Sequence, residues 1–373
     1  MIVAGEASGD HHGAGLVREV TRQQTEVEFY GIGGQELRSA GVRTEFDSST
    51  LAVIGVWEVL ARLRQVFKAL SWVKKELKRR PPDLVVLIDF PDFNFRVARE
   101  AKKHEIPVLY YISPQVWAWR RGRVKVISRT VNRMLAIFPF EVDFYFRHGV
   151  AVEYVGHPLM ETLNTHLTLM AARETLGIPQ DEICVGLLPG SRKSEVNHIL
   201  PTMLGAAEII LRTYPEARFV LPLAATLQRS EIDHWLDDSS VPVTVVEQNF
   251  DLAVKACTVA MVASGTATLQ TALLDVPMVI AYKVASMSYL IGRLLIRVDF
   301  IGMVNLIAGR QIARELVQHQ ASPYNLASAC LELLDDPLKR ANMKKAYEEV
   351  RKRLGEAKAS CNAARAVLDM ISS

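Results

Sequence analysis

The sequence predicts an α/β protein of two domains, each a doubly wound parallel sheet. Three observations predict it. Short runs rich in Val, Ile and Leu recur along the chain without alternating with polar residues, as expected of parallel strands covered on both faces. Helix-like segments separate these runs, which makes βα units. At 373 residues the chain is too long for one ordinary core and suits two domains of roughly 150–200 residues each.

The first series of strands is read at Met1–Ala4, Val27–Tyr30, Leu84–Ile88, Val108–Ile112, Met134–Ile137 and Val152–Val155. A helix is expected over Gly13–Arg22. The second series is Ile183–Leu188, Arg218–Leu223, Val243–Val246, Val259–Ala263 and Met278–Tyr282. The break falls near Gly156–Ala171, where His157-Pro158 ends one alternation before a helix leads to the next. Two Rossmann-like domains facing across a cleft are therefore expected, over 1–165 and 166–340, with a helical tail over 341–373. Everything beyond Ala327 reads as helix, and Lys339–Arg353 is charged enough to be solvated. Met1 lies at or inside the first strand, which is short for a central position; a trimmed terminus or a late start codon is the plain reading.

Composition removes several function classes. Hydrophobic residues are 49% and charged residues 23%, ordinary for a globular chain. A net charge of +3 argues against a general polyanion binder, so any basic surface is local. Cys184, Cys257, Cys330 and Cys361 are far apart and form no CxxC pair, so they read as reduced thiols rather than a disulfide frame or zinc site. No uncharged apolar run reaches the ~18 residues of a membrane span. No basic segment leads into an apolar core at the N-terminus, so no secretory signal is expected.

Two strand-to-helix turns carry the strongest chemistry. Val259–Ala263 breaks at Ser264-Gly265-Thr266, where a helical pattern starts. The first helical turn exposes unpaired N–H groups and the positive end of the dipole, which suits phosphate. Leu187-Leu188-Pro189-Gly190-Ser191-Arg192 repeats the logic and adds a cation. Two anion-binding turns in one half of the chain suggest a diphosphate and so a nucleotide-linked substrate.

Other segments keep two readings each. Gly5–Asp10 is a ligand loop at a strand's carboxyl end or a tight βα turn; neither it nor Gly31–Gly34 is GxGxxG, so a nicotinamide cofactor is poorly supported. Asp89 follows a buried strand and serves as a base or as a structural acceptor, whereas Asp92 is placed to cap a helix. Trp117, Trp119 and Arg120 hold a sugar or phosphate head group, or pack. His157 is a hinge, a ligand contact or a satisfied structural group. Val59, Leu60, Leu63, Val66, Phe67 and Leu70 recur at helical spacing with Arg62, Arg64 and Lys68 between them, and Lys74, Lys75, Lys78, Arg79 and Arg80 follow. That helix either lies on an anionic bilayer or packs on its own sheet with a solvated basic end. No recognition-helix, RRM or zinc-finger pattern supports nucleic acid.

Six segments in order, GEASGD at 5–10, DFPDFN at 89–94, SPQVWAWR at 113–120, LLPGSR at 187–192, ASGTATLQ at 263–270 and NLIAGR at 305–310, together resemble the lipid-A-disaccharide synthase family of GT-B glycosyltransferases. The resemblance implies an inverting hexosyltransferase. It would join UDP-2,3-diacylglucosamine to 2,3-diacylglucosamine 1-phosphate by a β-1,6 bond and release UDP, with no metal or other cofactor. It implies a peripheral enzyme on the inner, cytoplasmic face of the membrane, and leaves a homodimer open. Carried onto this chain, the general base falls on Asp89 and the diphosphate contact on Arg192, with Gly190 and Ser191 beside it. The nucleotide site falls on Ser264, Gly265, Thr266, Ala267 and Asn305. From the loops themselves, Ser8, Gly9, Asp10, Trp117 and Arg120 are the acceptor or loop candidates. One departure stands out: Gln270 occupies a position where family members often carry a Glu that grips the ribose hydroxyls. The resemblance also favours membrane contact by Leu63, Val66, Phe67 and Leu70, which would then be substantially exposed. A UDP-sugar 2-epimerase, a transferase with a soluble acceptor, and a non-catalytic nucleotide-sugar binder are the rival readings.

Overall fold

The computed structural model describes residues 1–48, 58–118, 121–284, 299–356 and 358–372; the side chains of 58–63 and 121 also lie outside the description. The chain divides into two compact units: Met1–Glu161 with Leu354–Ser373, and Thr162–Arg353.

In the first unit the order is β1 (Ile2–Ala4), α1 (Ala7–Gln23), β2 (Tyr30–Gly33), α2 (Gln35–Ser39), β3 (Arg43–Asp47), α3 (Glu58–Arg79), β4 (Val85–Ile88), α4 (Pro91–Lys103), β5 (Val108–Tyr111), α5 (Val124–Thr130), β6 (Arg133–Ala136), α6 (Pro139–Phe146) and β7 (Val152–Tyr154). The strands are all parallel, in the order β3-β2-β1-β4-β5-β6-β7. The central strands are buried throughout, which is why they read as unbroken apolar runs. The helix Ala359–Ile371 returns to pack on α1, so the expected tail over 341–373 is shared between the two units.

After α7 (Leu159–Thr162), the second unit runs α8 (Leu169–Leu176), β8 (Cys184–Leu188), α9 (Lys193–Thr213), β9 (Arg218–Leu223), α10 (Asp233–Asp237), β10 (Val243–Glu247), α11 (Phe250–Lys255), β11 (Val259–Ala263), α12 (Thr266–Leu273), β12 (Met278–Tyr282), α13 (Met303–Ala308), β13 (Glu315–Val317), α14 (Pro323–Asp335) and α15 (Pro337–Leu354). Its parallel sheet has the order β10-β9-β8-β11-β12-β13. Helices α9 and α14 pack together over β8 and β11, through Val196, Leu200, Met203, Leu326 and Cys330. Four thiols are free, three of them buried.

Three strands differ from the sequence reading. β2 lies at Tyr30–Gly33 instead of Val27–Tyr30, because Gly31 and Gly33 hide a buried strand from an apolar count. β3 and β13 were not expected. β3 is a partly exposed edge strand with polar residues, and β13 has only three residues.

Helix α3 corrects the exposure expected of Val66 and Leu70. Leu70 is 8% exposed and joins Ala69, Val73 and Leu77 in the core, and Val66 is half-buried against the same cluster. Phe67, at 59%, is exposed, together with Arg64 and Lys68. Positions 66, 70, 73 and 77 fall on one helical stripe, and that stripe packs on the sheet. Leu63 and Arg62 lie outside the described side chains. No helix among the described residues is long and apolar enough to cross a membrane.

Candidate active site

Both sheets reverse their strand order once, between β1 and β4 in the first unit and between β8 and β11 in the second. Ligands of open α/β sheets bind outside the carboxyl ends of the strands at such a reversal. The registers Ala4↔Ile88 and Leu188↔Val262 set the following turns side by side within each unit. Gly5–Asp10 therefore neighbours Asp89–Asn94, and Gly190–Arg192 neighbours Ser264–Ala267.

In the first unit, Asp89 is half-buried at the end of β4. Burial pushes its carboxyl up to about 6, with the Glu6 charge adding to the rise and the Phe90 N–H opposing it. Such a group is mostly ionised at neutral pH yet basic enough to accept a proton. Asp92 pairs with Arg123 and makes no side-chain cap, so its carboxylate is committed to the start of α4 in another way than expected. α1 opens beside Asp89 with Glu6 at its N-cap and no side-chain cap; Ser8 is exposed on its first turn.

Three residues expected at the acceptor are held structurally. Asp10 is buried and accepts from the N–H groups of Gly34 (2.5 Å), Glu36 (2.9 Å) and Leu37 (3.3 Å), so it caps α2. Gly9 is buried, and a Cβ there would touch Ile88. Trp117 is also buried, donating Nε1–H to Glu141 at 2.9 Å and meeting the Phe140 ring edge-on. Trp119 and Arg120 lie outside the described residues. His157 is buried with its Nδ1 accepting the Leu159 N–H; burial, then His12, lowers it to about 3, so it is a neutral structural group.

Sequence reasoning missed Glu141. It is fully buried at the start of α6 and accepts from the Ser113 hydroxyl, the Trp117 indole and the Phe138 N–H. Burial drives it up to about 7 against those hydrogen bonds. It fixes the 113–117 segment beside Asp89, since β5 pairs with β4. A carboxylate three residues after Phe138, just inside a Pro-initiated helix, was the available signal.

In the second unit, α12 follows Gly265, the Thr268 N–H bonds to Gly265 O (3.2 Å), and among the described residues no side chain caps the helix. Gly190, at φ 111°, turns the neighbouring loop, and a Cβ there would lie 2.5 Å from Glu195 Oε2. Glu195 accepts the Ser191 N–H (3.3 Å) and pairs with Arg192 (3.1 Å), while Thr226 donates to Ser191 O (2.6 Å). The Arg192 side chain remains 78% exposed, with donors to spare. Gln270 is half-buried one turn into α12.

Asn305 corrects the nucleotide contact expected of it. It is fully buried, donating to Ala313 O and Glu315 Oε1 (both 2.8 Å) and accepting from Ile312 N–H (2.9 Å) and Ala313 N–H (3.0 Å). Its amide is saturated. Glu315, missed in the sequence, also accepts the N–H groups of Ile301 and Gly302, and Ser264 donates to Ile301 O at 2.7 Å. Asn305 and Ser264 thus brace the loop beside α12. Among the described residues no cluster of His, Cys, Asp or Glu could hold a metal ion.

A family model described as lipid-A-disaccharide synthetase matches residues 1–371. A lipid-A-disaccharide synthase of Geobacter sulfurreducens is 45% identical over 371 residues, covering 100% of this chain and 97% of that one. Among solved structures, the UDP-GlcNAc 2-epimerase of Neisseria meningitidis, bound to UDP-GlcNAc, superposes with a TM-score of 0.65 at 14% identity, covering 100% of this chain and 98% of that one. A calicheamicin glycosyltransferase does so with 0.62 at 14% identity, covering 100% and 96%. These likenesses carry the GT-B fold; the full-length family match separates the chain from the epimerases that share it.

Proposed function

The chain belongs to the lipid-A-disaccharide synthase family and is a glycosyltransferase, and on that premise we propose how its residues divide the transfer. The donor is UDP-2,3-diacylglucosamine and the acceptor 2,3-diacylglucosamine 1-phosphate. The donor diphosphate sits on the open N–H groups of Gly265, Thr266 and Ala267 and against the Arg192 guanidinium. These donors stabilise the charge that grows on departing UDP; analogous fixed donors are worth about 2.7–4 kcal/mol each. Gln270 faces the ribose with one carbonyl acceptor where a Glu would offer two oxygens.

The acceptor binds the first unit near Ser8 and the start of α1, with its 6-hydroxyl at Asp89. That oxygen attacks the anomeric carbon in line. The bond to the diphosphate breaks, the hydroxyl proton passes to Asp89, and UDP leaves with inversion to a β-1,6 linkage. A base of this kind contributes about 10²–10⁴-fold. One observation carries the reading: a half-buried carboxylate stands at one strand-order reversal, and a helix start with no side-chain cap, beside the exposed Arg192 of the Arg192–Glu195 pair, stands at the other.

Both substrates carry acyl chains, so the enzyme works at the cytoplasmic face of the membrane as a peripheral protein, touching it through exposed Phe67, Arg64 and Lys68 of α3. The test is UDP release from UDP-2,3-diacylglucosamine with and without the lipid monophosphate. Acceptor-dependent release is expected, with UDP-N-acetylglucosamine left unepimerised. Release that ignores the acceptor, or none at all, refutes the assignment.

A further inference from the structure

The turn that carries Asp89 is held in a conformation it would rarely adopt alone. Asp89 and Phe90 are consecutive non-glycine residues with φ of 44° and 46°. Left-handed backbone of this kind persists only where its surroundings over-determine it. Three neighbours do so. Asn94, fully buried on α4, donates Nδ2 to Ile88 O (3.1 Å) and to Asp89 O (2.7 Å). Tyr110, fully buried on β5, donates its hydroxyl to the same Asp89 O at 2.5 Å. Gly5, at the end of β1, makes room for Phe90: a Cβ there would lie 2.1 Å from the ring. The Phe90 ring then packs on Phe93, with centroids 5.6 Å apart. Asn94 Oδ1 is buried with no hydrogen-bond partner among the described residues. An apolar side chain would avoid that penalty, so what the amide contributes is its two donors.

We propose that Asn94 and Tyr110, with Gly5 admitting the Phe90 ring, are positioning residues that clamp the Asp89–Phe90 turn and thereby aim the Asp89 carboxylate. The first glycine of the 5–10 segment and the last asparagine of the 89–94 segment then serve one purpose, joined through Phe90. The clamp rests on Asp89 acting as the base of the transfer described above. The charged and titratable groups around the turn are Glu6 after β1, the Asp92–Arg123 pair at the start of α4, and the Tyr110 hydroxyl, which burial keeps neutral.

Tyr110→Phe removes one donor to Asp89 O while keeping the ring, and Asn94→Ala removes the other. Each should lower kcat about 10-fold and leave KM for the UDP donor within about 2-fold. The acid midpoint of kcat/KM should move from near 6 toward the ordinary value of about 4 as the freed carboxyl gains solvent. Gly5→Ala should act in the same direction. A fall in melting temperature with kcat and midpoint unchanged would mean a purely structural role and overturn the clamp. If Asn94→Ala does not fold, Tyr110→Phe decides alone. If the native chain transfers nothing, the transfer reading fails on its own. The carboxyl of Asp89 is then titrated directly by ¹³C NMR of labelled aspartate, assigned with Asp89→Asn: a lowered midpoint in Tyr110→Phe supports the clamp, and an unmoved one rejects it.

Discussion

Asp89→Asn should lose activity and gain stability together, a pairing that separates a functional carboxylate from a structural one. The structure supplies both magnitudes. With the carboxyl at about 6, about nine-tenths of the enzyme carries the ionised base at pH 7 and about one-tenth at pH 5. The kcat/KM of the native enzyme should therefore fall about 10-fold across that interval and be flat above it. The asparagine has no such base, and its kcat should fall about 10²-fold or more at pH 8. The stability sign follows from the same rise. A carboxyl whose folded value is raised favours folding below its unfolded value near 4, and loses that advantage as pH climbs through 6. The rise from 3.8 to about 6 sets a ceiling of about 3 kcal/mol. Solvent screening at a half-buried side chain reduces it to about 1–2 kcal/mol. Asparagine escapes that penalty and keeps an oxygen for the Phe90 N–H, so at pH 8 its melting temperature should exceed the native one by about 2–8 °C. At pH 4 the two should converge. Thermal melts at both pH values and a UDP-release assay from pH 5 to 8 measure these. A folded variant with near-normal turnover, or an acid limb centred near 4 in the native enzyme, would refute the reasoning.

Three further outcomes are expected. Arg192→Ala should weaken UDP by about 1.5–3 kcal/mol and uridine hardly at all in paired calorimetry, as the proposed contact is to phosphate and not to the base; equal losses would move it off the diphosphate. Gln270→Glu should tighten UDP but not 2′,3′-dideoxy-UDP, and identical responses would place residue 270 away from the ribose. On α3, Leu70→Ala should cost about 2–5 kcal/mol, whereas Phe67→Ser should leave the melt unchanged and lower co-sedimentation with anionic vesicles; vesicle binding that ignores Phe67 would remove it from the membrane contact.

The sequence by itself determined the architecture. Strands buried on both faces must be apolar throughout, so β4, β5, β8, β9, β11 and β12 could be read directly, and with them the turns that end each one. The strand-to-helix turns at Gly190–Arg192 and Ser264–Ala267 were legible for the same reason: the placement of their backbone N–H groups follows from where a strand stops and a helix starts. What only the tertiary structure decided is which polar side chains remain available. Asp10, Trp117 and Asn305 sit inside segments that look functional, but their polar atoms are consumed by the α2 N–H groups, by Glu141 and by the 312–315 backbone. Leu70 and Phe67, three positions apart on one apolar pattern, part company because a helix has one face for its sheet and another for solvent. Hydrogen-bond partners and burial depend on residues distant in the chain, such as Glu141 for Ser113 and Tyr110 for Asp89. Local sequence fixes the period of an element but not the neighbour that claims its polar atoms.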